Sequence, residues 1–116
     1  LAIQIARKGD HVIFRGKVGE AVSVEQGYSA ARECALSALA AMEAEGLLDR
    51  IARVVKLTGY VASAPGFADQ PKVVNGASDL LVQVFGDQGR HARAAVGVAA
   101  LPLGASVEVE FVFEVR

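Results

Sequence analysis

The sequence has one cysteine, Cys34, no long apolar run and no run of like charges. A lone cysteine cannot form a disulfide within the chain and is typical of a reducing compartment, so we expect a cytoplasmic protein with an inert, buried thiol. No stretch approaches the roughly 20 apolar residues of a membrane helix, so no membrane partner is predicted. Twelve Lys and Arg face 13 Asp and Glu. Because nucleic-acid-binding domains usually carry a basic stripe, we do not expect a nucleic-acid partner.

The chain length fits one domain, residues 1–116. The first residues, Leu1 to Arg7, have the pattern of a strand that begins further upstream, so we expect that strand to be incomplete. Apolar residues make up 53% of the chain, a figure that excludes its 12 glycines, whereas soluble domains reach roughly 45–50% with glycine counted. Small domains also bury a smaller fraction of their surface than large ones. We therefore expect the chain to associate with copies of itself.

Hydrophobic periodicity predicts two helices and five strands. The segment Ser23-Val24-Glu25-Gln26 has the pattern of a capping box, and it predicts a helix from about Ser23 to Glu45 that Gly46 ends. A second helix is predicted from about Asp69 to Phe85, where Pro71 is tolerated in the first turn. Alternating or β-branched segments predict the strands, which are Ala2–Arg7, His11–Arg15, Ala52–Ala62, Ala92–Ala100 and Ser106–Arg116.

This order of elements predicts the α+β class, with both helices on one face of a single mixed sheet. The residues Arg93, Ala95, Gly97 and Ala99 share one face of their strand, and we expect that face to be bare in a monomer and covered in an oligomer. If the last two strands form a hairpin about the turn Leu101–Gly104, Arg93 and Glu108 lie on the order of 16 Å apart. They would then serve one ligand only across a subunit boundary.

The order of Arg93, the Leu101-Pro102 turn and the alternation Val107-Glu108-Val109-Glu110 resembles the signature of the YjgF/RidA family. The segments Gly76–Leu81 and Gly89–Arg93 are similar to the branch labelled chorismate-mutase-like or endoribonuclease L-PSP-like. The resemblance covers nearly the whole chain. It implies a chorismate-mutase-like fold, a homotrimer and three clefts between subunits. It also implies hydrolysis of reactive enamines or imines to keto acids and ammonia.

By the same resemblance, Arg93 binds the substrate carboxylate, Glu108 handles a water molecule and Asn75 lies near the cleft. These residue types suit that chemistry, because a guanidinium binds a carboxylate with two parallel hydrogen bonds and a carboxylate can act as a general base. Ala95 stands where the family often has a cysteine. The spacing of potential ligands suggests no metal site, and neither a metal nor another cofactor is expected.

Other interpretations remain open at this point. Arg93 fits a structural ion pair at the interface, Glu108 a solvated charge on the sheet, and Asn75 a helix cap. His11 and His91 lie near strand ends and turns, and we interpret them as solvated loop side chains. The alternatives to an enamine or imine deaminase are a trimer that binds a small carboxylate without turnover, an endoribonuclease as the branch label suggests, and, from fold analogy alone, a chorismate mutase.

Overall fold

The computed structural model describes residues 1–116 and consists of a four-stranded sheet, a two-stranded hairpin and two α-helices. Short 3₁₀ turns lie at Leu48–Arg50, Gly86–Gly89 and Pro102–Gly104. In chain order the principal elements are β1 (Ala2–Ile5), β2 (Arg7–Lys8), β3 (His11–Val12), α1 (Val24–Ala44), β4 (Ile51–Ala62), α2 (Gln70–Phe85), β5 (Ala92–Val98) and β6 (Val107–Val115). Both helices pack on one face of the mixed sheet, which confirms the predicted α+β class.

The sheet has the strand order β1-β6-β4-β5, so the last two strands do not form the hairpin on which the 16 Å estimate for Arg93 and Glu108 depended. Helix α2 connects β4 to β5, and such a crossover makes the two strands parallel neighbours. The edge position on one side of β4 is then occupied. After the turn at Pro102–Gly104 the chain crosses β4 and pairs β6 antiparallel with its opposite side.

The N-terminal segment is more broken than its pattern predicted. Strand β1 pairs with β6, but only four of the expected residues join the sheet. The following residues form the separate β2–β3 hairpin, which ends at Val12 rather than Arg15. Phe14 has a φ of 52°, a left-handed conformation that is incompatible with a continuing strand and unusual for an aromatic residue.

Helix α1 begins and ends where the sequence predicted. The Ser23 hydroxyl accepts from the backbone N–H of Gln26 at 3.1 Å, and the Gln26 side chain accepts from the Ser23 N–H at 3.0 Å. This reciprocal pair satisfies two donors that a helix start otherwise leaves free. At the other end Gly46 has a φ of 71°, which glycine adopts without a steric penalty.

Two glycines allow α2 to pack close to both of its neighbours. A Cβ atom at Gly76 would lie 1.9 Å from the carbonyl oxygen of Tyr28 in α1, and one at Gly59 would lie 2.3 Å from Cγ2 of Val74. Both distances are far below contact, so these positions admit no side chain without movement of the helix. The close packing holds α2 directly against α1 and β4. Neither α-helix combines the length and the hydropathy of a membrane-spanning segment.

Candidate functional site

A polar row on α2 lies along the side of the helix that faces β5. Asn75 and Ser78 have the spacing i, i+3, which places their side chains on one face of the helix, and the backbone carbonyl of Pro71 completes the row one turn earlier. The opposite face contributes its apolar side chains, Val73, Ala77 and Leu81 among them, to the core. The packing that buries the apolar side therefore holds the polar row against the edge strand.

Arg93 of β5 donates three hydrogen bonds to this row. Its Nη1 donates to Oδ1 of Asn75 at 2.8 Å and to Oγ of Ser78 at 3.0 Å. Its Nη2 donates to the carbonyl oxygen of Pro71 at 3.3 Å. The structure thus brings Arg93 and Asn75 together, and the Asn75 side chain is not a helix cap.

The acceptors around Arg93 are all neutral. The salt bridges of the chain join other residues, so no carboxylate of the same chain compensates the guanidinium charge. A guanidinium has five N–H groups, and three hydrogen bonds leave two of them free. The amide nitrogen of Asn75 has no protein partner either. Arg93 is exposed, so an anion can approach these donors from solvent.

The face that Arg93 occupies differs from the prediction. Arg93 pairs with Leu57, and Leu57 is fully buried beneath the helices. Residues paired across a ladder point to the same side, so Arg93, Ala95 and Gly97 face α2 rather than the bare side of the sheet. The alternating pattern predicted which residues of the strand share a face, but it did not predict which of the two faces the helix covers.

The uncovered side of the sheet, which we call the helix-free face, contains Glu108. The ladder pairings give its members, which are Ile3, Ile5, Lys56, Thr58, Tyr60, Ala62, Ala92, Ala94, Val96, Val98, Glu108, Glu110 and Val112. Ile3 is 53% exposed and Val96 is 41% exposed. No ion pair forms at Glu108 or Glu110. Many of its side chains are therefore apolar, and neither helix packs on this face, although Ile5 and Thr58 are buried by their neighbours.

Arg93 and Glu108 do not meet within one chain. Glu108 pairs with Tyr60, whereas Arg93 pairs with Leu57, and β4 separates their two strands. Two strand spacings and three residues along the ladder place their Cα atoms roughly 14 Å apart. Their side chains also lie on opposite faces of the sheet.

Ser78 and His91 are site residues that the sequence reasoning missed. His91 is half-buried rather than solvated, its Nε2 lies 2.9 Å from Oγ of Ser78, and its Nδ1 contacts the carbonyl oxygen of Gly89. Two signals were available in the sequence. Ser78 follows Asn75 at helical spacing, and His91 stands two residues before Arg93, the spacing that places side chains on one side of an extended chain.

Two titratable groups, Cys34 and Tyr28, have raised pKa values. Burial raises the pKa of the Cys34 thiol, and the nearby charge of Glu108 raises it further. The thiol therefore stays neutral, as expected of an inert core cysteine. The hydrogen bond from the Tyr28 hydroxyl to Asp79, 2.8 Å long, raises the pKa of Tyr28. No three His, Cys, Asp or Glu side chains cluster as metal ligands.

The concave surfaces of the single chain lie away from Arg93. One apolar cleft of about 190 Å³ is lined by Gly16, Lys17, Ala62 and residues 99–101 and 104–105. A second surface lies between the β2–β3 hairpin and α1, near Lys8 and Glu33. Neither contains Arg93, Asn75 or Glu108, so one chain alone does not enclose a ligand at these residues.

Residues 3–115 match the family model described as "YjgF/chorismate_mutase-like, putative endoribonuclease". Protein TCP17 of Trypanosoma cruzi is 53% identical over 103 residues, and the match spans 87% of this chain and 64% of that protein. The structure of Atu1372 from Agrobacterium tumefaciens, described as of unknown function, has a TM-score of 0.95 at 44% identity and covers 99% of this chain and 74% of its own. A "putative endoribonuclease" from Shewanella oneidensis MR-1 has a TM-score of 0.92 at 31% identity, covering 98% and 76%.

Proposed function

Because the chain belongs to the YjgF/chorismate mutase-like family, we propose that it is a RidA-like hydrolase that deaminates small enamines or imines bearing a carboxylate. The main support for this proposal comes from Arg93. Its guanidinium donates to neutral oxygens only and has no acidic partner in the chain. A positioned cation with free donors favours an anionic ligand. A carboxylate matches the planar fork better than a single-atom anion does.

Asn75 supports the same ligand. Its Oδ1 is occupied by Arg93, which turns the amide nitrogen into the free end of the side chain. A carboxylate or keto oxygen bound at Arg93 can therefore accept from Asn75 as well. In this arrangement Arg93 binds the carboxylate and sets its orientation, and Asn75 orients the reacting end of the ligand.

Glu108 joins the site from a neighbouring subunit of a homotrimer. The two residues lie on opposite faces of one sheet, so they cannot share a small ligand within one chain. Arg93 lies in the edge strand β5, and Glu108 lies on the uncovered helix-free face. Packing the edge of one subunit against the helix-free face of the next brings the two groups toward each other and covers apolar side chains.

The chemistry needs only these groups and water. An enamine first tautomerises to the imine. Glu108 accepts a proton from a water molecule as the water oxygen adds to the carbon of the C=N bond, and it passes that proton to the nitrogen. In the resulting amino alcohol Glu108 transfers the hydroxyl proton to the nitrogen as the C–N bond breaks, so ammonia leaves and the keto acid forms. Arg93 holds the carboxylate throughout, which places the reacting carbon at a fixed distance from Glu108 of the adjoining subunit.

A binding experiment tests the role of Arg93. Pyruvate should bind to the wild-type protein, and pyruvamide, which lacks the carboxylate, should bind weakly. Arg93→Lys should weaken pyruvate binding by roughly 10- to 100-fold, because hydrogen bonds to a charged group contribute about 1.5–3 kcal/mol. Arg90→Lys is the matched control, since Arg90 is exposed and pairs with Asp87. Equal pyruvate affinity in wild type and Arg93→Lys would show that Arg93 has a structural role.

Turnover is a separate measurement. The protein is added to an amino-acid dehydratase that releases an enamine, and the rate of keto-acid formation is compared with and without it. Faster formation that depends on both Arg93 and Glu108 supports the deaminase. Pyruvate binding without acceleration supports a non-catalytic carboxylate-binding trimer, for which Ala95 in place of the family cysteine is the favouring observation. RNA cleavage lost in Arg93→Ala would instead support the endoribonuclease in the family description.

A further inference from the structure

Ser78 and His91 have fixed hydrogen-bond roles. The carbonyl oxygen of Gly89 only accepts, so the His91 Nδ1 that contacts it must carry a proton. In a neutral imidazole the other nitrogen, Nε2, then has a free lone pair. The Ser78 hydroxyl, 2.9 Å away, therefore donates to Nε2. Its oxygen accepts in turn from Nη1 of Arg93.

This arrangement is not the ordinary one for a serine inside a helix. Such a serine usually points to solvent or donates to a backbone carbonyl one turn earlier. Ser78 instead donates to a base that a third group orients, and it contacts a cation. A nucleophile, a base and an orienting acceptor within hydrogen-bond reach are the signature of an activated hydroxyl. Ser78 and His91 are half-buried and Arg93 is exposed, so the pair lies near the surface of the chain.

We propose that Ser78 and His91 form a nucleophile–base pair that hydrolyses esters of small carboxylic acids. The Ser78 oxygen attacks the ester carbonyl carbon while its proton passes to Nε2 of His91. Arg93 stabilises the negative charge that develops on the carbonyl oxygen, because its guanidinium lies beside the attacking atom. The C–O bond then breaks, and the alcohol leaves with the proton from His91.

Water completes the cycle. It adds to the acyl–Ser78 ester and gives a proton to His91, and the acid departs as Ser78 regains its hydrogen. This activity goes beyond the proposed deaminase, since it involves neither Glu108 nor a C=N bond. A protein that fails to hydrolyse imines could therefore still be an esterase. A protein that fails to hydrolyse esters could still be a deaminase.

The test uses the full chain with p-nitrophenyl acetate. Release of p-nitrophenol is followed by absorbance, and the acylated residue is located by peptide mass. We expect one acetyl group on the peptide that contains Ser78, and none there in Ser78→Ala. His91→Asn should slow acylation by roughly 10²- to 10⁴-fold, the usual contribution of a general base. Ser29→Ala and His11→Asn are matched controls on exposed positions and should keep the wild-type rate.

A second variant guards against a disturbed fold. Ser78→Cys keeps a nucleophile at the same position and should itself become acetylated. Equal p-nitrophenol release in Ser78→Ala, or an acetyl group found only on lysines, would overturn the proposal. Release that depends on His91 without an ester at position 78 would also overturn it, because it would show catalysis by the imidazole alone.

Discussion

Replacing Gly76 by alanine tests the close packing that positions the site. On helix propensity alone the change should stabilise the protein, since alanine is favoured over glycine by about 1 kcal/mol inside a helix. In the structure the new methyl group would lie 1.9 Å from the Tyr28 carbonyl oxygen. A backbone atom cannot rotate away, so α2 must shift. Overpacking of this kind costs about 1–3 kcal/mol, and the upper end applies here.

The two effects oppose each other, and the packing term should win. We expect Gly76→Ala to lower the free energy of unfolding by about 1–2 kcal/mol, which corresponds to a fall in Tm of about 5–10 °C for a domain near this size. Thermal and urea unfolding measure it, with every variant at the same chain concentration, because the Tm of any self-associating protein depends on concentration. Ala40→Gly, at an exposed position of α1, is the control and should cost about 1 kcal/mol.

A stabilised Gly76→Ala variant would refute this reasoning, because it would mean that the two helices are not in contact at this point. The placement of Asn75 and Ser78 beside Arg93 depends on the same contact. The variant should therefore also bind pyruvate less tightly than wild type, whereas Ala40→Gly should bind it equally well.

Three further outcomes are expected. Ser23→Ala removes the capping box and should destabilise the protein by about 1 kcal/mol in urea unfolding. Burial raises the pKa of Cys34, so the thiol ionises at lower pH in the unfolded chain than in the folded one. The free energy of unfolding should therefore fall as pH rises above about 8.5, and it should fall less in Cys34→Ala. The hydrogen bond to Asp79 raises the pKa of Tyr28, so Asp79→Asn should lower that pKa. Ultraviolet titration in a Tyr60→Phe background measures it for Tyr28 alone. An unchanged pKa in Asp79→Asn would show that the hydrogen bond is absent.

Local patterns predicted the helices well because each signal is contained in a few neighbouring residues. The capping box at Ser23 and the glycine at position 46 set the ends of α1, and Pro71 marked the first turn of α2. The strand order was not contained in any such window. Whether β6 pairs with β5 or β4 depends on where the α2 crossover leaves a free edge, and that is a property of the whole sheet.

The site was predicted in the same uneven way. Arg93 and Asn75 were identified from a resemblance, and the structure places them in contact. The side of the sheet that Arg93 faces could not be read from alternation, because a period of two distinguishes two faces without saying which one is covered. His91 was missed because its partner, Ser78, is 13 residues away along the chain and meets it only when α2 packs on β5.

Subunit complementation tests the proposed shared site most directly. Arg93→Ala and Glu108→Ala chains are each purified, shown to be folded and trimeric, and then mixed or co-expressed. If Arg93 of one subunit and Glu108 of the next form each site, roughly a quarter of the sites in an equal random mixture are complete. Imine hydrolysis should then return to about that fraction of wild type, although each variant alone is inactive. No recovery in mixed trimers verified by mass would contradict the account.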